Sequence, residues 1–194
     1  AHLASPVTSF GLSGVLWQSP FLAGQCLLIS TRKNSNSVVI MNKEQQYQQV
    51  VKQVLGLSEG EAFEVAVLAN VAAALREAFD HFFWVGFYLV RDEKLLLGPF
   101  QGPVACYRIA RGRGVCGTAW DKKETLIVPD VEQFSGHIAC SSLSRSEIVV
   151  PLFDSSHEVK AVLDIDSTSI ASFDDVDGRY LQELARGISR QLYR

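Results

Sequence analysis

From residue 43 onward the apolar positions change period twice, from helical spacing to strand spacing and back. Tyr47, Val50, Val51, Val54 and Leu55 fall at i, i+3, i+4, i+7 and i+8, which predicts an amphipathic helix over 43–56. Gly56 and Gly60 punctuate it. Residues 61–80 are apolar on nearly every side (Phe63, Val65, Leu68, Val71, Leu75, Phe79), the pattern of a helix buried between layers. Residues 82–91 are β-branched and aromatic and predict a central strand. Residues 94–98 follow after a short acidic turn and complete a hairpin, and 104–109 predict a further strand. Gly112, Gly114 and Gly117 bracket a loop and short helix around Cys116, and 125–129 predict a short strand.

The stretch 130–145 is polar and irregular and holds His137 and Cys140. Two strong strands follow at 147–153 and 158–166, joined by a polar turn at 154–156. A last helix spans about 174–193, with Ser172 and Asp175 as its expected capping box and Val176, Tyr180, Leu184 and Ile188 on its buried face. Helices at both ends and hairpin-linked strands between them predict an α/β (α+β) domain over 41–194, a central antiparallel sheet flanked by helices.

Residues 1–40 differ in character. The first acidic residue of the chain is Glu44, serine is frequent before it, and the single Met is Met41. This N-terminal extension reads as a non-native or upstream segment ahead of a start at Met41, as a targeting leader, or as an ordered extension. Cys26 lies in it and is therefore a poor candidate for chemistry.

Composition narrows the function classes. With 194 residues, 47% hydrophobic and 20% charged, the chain can bury a core without disulfide staples. A net charge of −3 argues against a dedicated nucleic-acid binder. No run of 18 apolar residues is present, so no membrane-spanning helix is expected and a cytoplasmic location is, with organellar targeting by 1–40 left open. Four cysteines form no CxxC pair.

Three groups of residues carry candidate chemistry. In Val-Leu-Asp-Ile-Asp, Asp164 and Asp166 share one strand face, roughly 7 Å apart, opposite Leu163 and Ile165. Glu147 begins the neighbouring apolar strand. Acids in such runs are costly unless they bind a cation or hold a proton; solvent-exposed strand ends are the plainer reading. Trp84, Gly86 and Tyr88 also share a face, with Gly86 leaving a gap fit for a small ligand, or else for close packing. Cys106, Cys116 and Cys140 sit in loop-like surroundings. Arg111 and Arg113 are expected to favour a thiolate at Cys116. Cys106, Cys116, His137 and Cys140 would also number four zinc ligands, although only one closely spaced pair is present.

Residues 98–119 (GPFQGPVACYRIARGRGVCGTA), 129–147 (PDVEQFSGHIACSSLSRSE) and LDIDS at 163–167 together resemble the free methionine-(R)-sulfoxide reductases, stand-alone proteins of the GAF fold. The resemblance covers about 41–193. It implies Cys140 as the catalytic cysteine, Cys106 as the resolving one and Cys116 as a third, auxiliary or alternative in resolving. It implies Glu147, Asp164 and Asp166 as carboxylates that hold and activate substrate, Asp166 being the first choice for the acid. Trp84 and Tyr88 match the aromatic wall of the pocket, and the loop from Gly98 to Cys106 a mobile cap.

That assignment fits the chemistry of a sulfoxide. A thiolate attacks sulfur, an acid delivers protons so that oxygen leaves as water, and a second thiol condenses with the sulfenic acid. A dithiol such as thioredoxin then reduces the disulfide. The expected substrate is free methionine-(R)-sulfoxide, with no metal or organic cofactor, no nucleic acid or membrane partner, and a homodimer left open. The rivals are a non-catalytic GAF sensor of a small molecule and a zinc-binding structural domain.

Overall fold

The computed structural model describes residues 41–138 and 141–194. The expected extension at 1–40, with Cys26, and the side chain of Cys140 lie outside the described residues. In chain order the elements are α1 (Lys43–Leu57), α2 (Glu64–Ala78), β1 (Trp84–Arg91), β2 (Lys94–Gln101), β3 (Arg108–Ala110), α3 (Gly114–Lys122), β4 (Leu126–Val128), a 3₁₀ turn (Val131–Gln133), β5 (Ser146–Phe153), β6 (Val159–Ser167) and α4 (Asp175–Leu192). The six strands form one antiparallel sheet in the order β3-β2-β1-β6-β5-β4.

The two-residue period of the strands sorts their side chains into two cores. Val85 and Phe87 of β1, Ile148, Val150 and Leu152 of β5, and Leu163 and Ile165 of β6 point to α1, α2 and α4. Trp84 and Tyr88 of β1, Val149 of β5 and Val162 of β6 point the other way, towards α3. The central strands are buried on both faces, which explains their near-continuous apolar runs. α2 packs on β1 and β2, α4 on β5, and α1 on both helices. Tyr47 of α1 donates its hydroxyl to the fully buried Asp177 of α4 at 2.6 Å. Lys43 also reaches that carboxylate.

Several boundaries differ from the sequence reading. α2 begins at Glu64, and Phe63 and Val65 are 64% and 47% exposed, because Phe63 caps the helix in an extended conformation and only one flank meets the sheet. Asp174 caps α4, not Ser172. It accepts from the Val176 and Asp177 amides, while Asp177 accepts from the Asp174 amide, a complete capping box. Ser172 instead donates to the Ser167 hydroxyl at 2.8 Å. β2 continues to Gln101, so the first half of the expected cap, Gly98–Gln101, is strand. No helix among the described residues is long and apolar enough to cross a membrane.

Candidate active site

Strand register brings the carboxylates together. β6 lies between β1 and β5, and its Asp166 is paired with Trp84 on one side and Glu147 on the other. One step along the same face, Asp164 is paired with Gly86 and Val149. Trp84, Tyr88, Glu147, Asp164 and Asp166 therefore line one narrow cavity. α3 closes it from above with Cys116, and Pro103, Val104, Ala105, His137, Ile138, Ser141 and Ser144 form its rim. Glu147 and Asp164 are each 6% exposed, so the solvated strand-end alternative does not hold.

The aromatic wall is tightly set. The Trp84 indole stacks on Phe100 (5.4 Å between ring centres) and on Tyr88 (6.0 Å), and its Nε1 donates to the Pro103 carbonyl at 3.0 Å. The gap expected beside Gly86 is filled by this indole. A Cβ at Gly86 would lie 2.4 Å from Trp84 Cη2, and one at Gly102, where φ is +138°, would lie 2.6 Å from Trp84 Cδ1. Glycine at both positions lets the ring lie flat against backbone.

Cys116 sits in the first turn of α3, not in a loop, and is 3% exposed. Its thiol donates towards Glu147 Oε1 across 3.8 Å. Burial first, and then the surrounding carboxylates, push its pKa well up. The expected thiolate at Cys116 is thus corrected. Arg111 does not serve it: its guanidinium pairs with Asp121 at 2.8 Å and lies over the Trp120 ring. Arg113 is at the exposed rim of the cavity.

The carboxylates are proton holders. Burial, then the charge of the neighbouring aspartates, raises Glu147 well above the usual carboxylate range; burial and the Asp166 charge do the same to Asp164. Asp166 is raised to about 6 by burial, held back by a hydrogen bond from Ser144. Asp164 Oδ1 is buried with no hydrogen-bond partner, as is His137 Nδ1, although the Asp164 carboxyl group as a whole bonds to Cys116 and Glu147. Burial lowers the pKa of His137. Unpaired polar atoms on a cavity wall are contacts open to a ligand or to water.

Cys106 is disulfide-bonded and half-buried, whereas Cys116 is free. A bonded Cys106 does not fit the four-ligand zinc set expected from sequence. Among the described residues, the donors that converge are Cys116, Glu147 and Asp164, whose ligand atoms all lie within 4.8 Å of one another. Cys140 is outside the described residues, but Ile138 and Ser141, on either side of it in the chain, both line the cavity. Sequence reasoning missed Ser144 and Phe100. Both lie inside the quoted motif stretches, but neither is singled out by its spacing, because each acts only through a neighbour that the fold supplies.

The GAF domain family model matches residues 61–192. "GAF domain-containing protein A" of Dictyostelium discoideum is 58% identical over 146 residues, 75% of this chain and 91% of that protein. "Free methionine-R-sulfoxide reductase" of Escherichia coli (strain K12) is 44% identical over 152 residues, 78% of this chain and 92% of that protein. The structure of free methionine-R-sulfoxide reductase from Neisseria meningitidis, solved in complex with its substrate, superposes with a TM-score of 0.76 at 50% identity. It covers 81% of this chain and 94% of that one.

Proposed function

Since the chain belongs to the GAF domain family and, within it, to the free methionine-R-sulfoxide reductases, we propose that it reduces free L-methionine-(R)-sulfoxide with its own cysteines. The observation that carries this reading is the trio of buried Glu147 and Asp164 and partly buried Asp166 facing an aromatic wall, with Asp164 Oδ1 lacking a hydrogen-bond partner. A free amino acid brings an ammonium to such an acceptor; a methionine inside a peptide does not. One hydrogen bond to a buried charge is worth about 1.5–3 kcal/mol, or roughly 10- to 150-fold in binding. Trp84 and Tyr88 supply an apolar wall for the methyl-sulfur end.

The cysteine chemistry centres on Cys140, which lies in the chain between Ile138 and Ser141, both on the cavity wall. Cys140 attacks the sulfoxide sulfur as a thiolate and forms an S–S bond; the protonated oxygen then passes from the substrate sulfur to Cys140 Sγ as the S–O and S–S bonds break, so methionine leaves with the electron pair and Cys140 becomes a sulfenic acid. Cys106 condenses with it, forming a disulfide and releasing water. A dithiol protein such as thioredoxin then exchanges with that disulfide and restores both thiols. Asp166 is the acid that protonates the departing oxygen. A pKa of about 6 keeps it close to working pH, and it is the least buried of the three, so solvent can reload it. Glu147 and Asp164, each pushed up further, share a proton and leave one negative charge for the ammonium. Cys116, buried and protonated, supports this pair and is the less suited resolving thiol.

Single-turnover assays separate the roles. Cys140→Ser is expected to form no methionine. Cys106→Ser is expected to complete one turnover and then stall with thioredoxin. N-acetylmethionine sulfoxide is expected to be a very poor substrate. A fully active Cys140→Ser protein, or equal reduction of the acetylated substrate, overturns the assignment.

A further inference from the structure

Beyond the thiol reaction, the floor of the cavity presents a donor set with a chemistry of its own. We propose that it binds a zinc ion on Cys116 Sγ and one oxygen each of Glu147 and Asp164, and that zinc thereby competes with the substrate's ammonium group. The three donors come from three different elements, α3, β5 and β6, so their convergence is a product of the tertiary fold. Their ligand atoms lie within 4.8 Å of one another and all three residues are buried. Zn–S of about 2.3 Å and Zn–O of about 2.0–2.2 Å place the donors of a tetrahedral site roughly 3.5 Å apart. Small side-chain adjustments therefore close the site.

A second observation points to a ligand independently. Asp164 is 6% exposed, and its Oδ1 is buried on the cavity wall with no hydrogen-bond donor. A buried carboxyl oxygen left unpaired, in a group whose other contacts are Cys116 and Glu147, is satisfied by a cation that displaces the protons held between them. The donor types select which cation. One thiolate with two carboxylates suits the borderline-soft Zn²⁺, whereas Mg²⁺ and Ca²⁺ take six or more oxygens and gain little from sulfur. Three protein ligands leave a fourth position open towards the cavity, for water. As zinc binds, the Cys116 proton and the proton shared by Glu147 and Asp164 leave to solvent; no electron is transferred. Cys116 is free while Cys106 is disulfide-bonded, so its thiol is available to the metal in the oxidised enzyme too.

Zinc titration by calorimetry on the full chain tests the site, with Co²⁺ absorption as the spectroscopic probe of thiolate ligation. Wild type and a Cys106→Ser/Cys140→Ser variant are expected to bind one equivalent with similar affinity. Cys116→Ser and Glu147→Gln are expected to bind about 10- to 100-fold more weakly, and Cys116→Ser to lose the thiolate-to-cobalt charge-transfer band. The proposal is overturned if Cys116→Ser binds as wild type does, or if the double variant loses the metal. The competitive effect rests on the cavity being the sulfoxide site. Zinc is expected to raise the KM for free methionine sulfoxide without changing kcat, reversibly by chelation, and Mg²⁺ to do nothing. If the protein turns over no sulfoxide, the functional reading fails while the titration still decides the metal site; noncompetitive inhibition overturns the shared location.

Discussion

Gly86→Ala isolates the role of the aromatic wall, because it adds one methyl group and alters no charged residue. The added Cβ would stand 2.4 Å from Trp84 Cη2, 2.5 Å from Phe100 Cβ and 2.7 Å from Trp84 Cζ3. Ordinary contact begins at 3.4 Å, so the indole must retreat by about 1 Å, and a displacement of that size in a positioning group costs on the order of 100-fold in rate. The strand backbone cannot yield instead, since Gly86 is paired with both Phe100 and Asp164 in the middle of the sheet. Overpacking also costs about 1–3 kcal/mol of stability. A loss of 2 kcal/mol in a domain of this size lowers Tm by roughly 4–8 °C. Steady-state kinetics on free methionine-(R)-sulfoxide and scanning calorimetry measure the two effects. Adding Trp84→Phe to Gly86→Ala removes the clash with the ring edge but not the one with Phe100 Cβ, so the double variant is expected to recover part of the lost Tm while kcat/KM stays low. A Gly86→Ala protein with wild-type kcat/KM and Tm would refute the reasoning, since the ring would then not be held where the geometry puts it.

Three further outcomes follow from the same structure. Asp166 is raised from 3.8 to about 6, so the folded protein binds its proton more tightly than the unfolded chain and stability falls as pH rises from about 4 to 6. The shift amounts to roughly 3 kcal/mol, present as a cost at neutral pH; Asp166→Asn is expected to raise Tm at pH 7.5, flatten its pH dependence between 4 and 6, and lower kcat by about 10²–10⁴. A lower Tm than wild type at pH 7.5 would contradict the burial argument. Tyr47→Phe removes the 2.6 Å bond to buried Asp177, far from the cavity, and is expected to cost about 1.5–3 kcal/mol in urea unfolding with kcat unchanged. After one equivalent of substrate, nonreducing peptide mapping is expected to find Cys140 joined to Cys106; a dominant bridge to Cys116 would reverse the resolving assignment.

Much of the protein is legible in local pattern. The helical stripe from Tyr47 to Leu55, the alternation in β6 and the antiparallel hairpins follow from side-chain periodicity, which is a property of neighbouring residues. The shared face of Asp164 and Asp166 is read the same way, because two residues apart on a strand is a covalent fact. The order of the motifs from Gly98 to Ser167 was enough to identify the family.

What lay beyond the sequence depends on contacts between distant segments. Nothing near Gly86 in the chain says that its gap is filled; that takes Trp84 folding back over it and Phe100 arriving from β2. The arginines beside Cys116 suggested a thiolate, yet helix α3 turns the thiol down into the sheet, where the surroundings are carboxylates and low dielectric. Ser172 and Asp174 are equally good caps by residue type, and the choice falls to Asp174 because Ser172 is drawn to Ser167. The register that sets Glu147, Asp166 and Trp84 in one row is decided by strand pairing across the sheet. Local spacing determines which side of a strand a residue takes, while only the packed sheet determines whom it meets there and whether its charge survives.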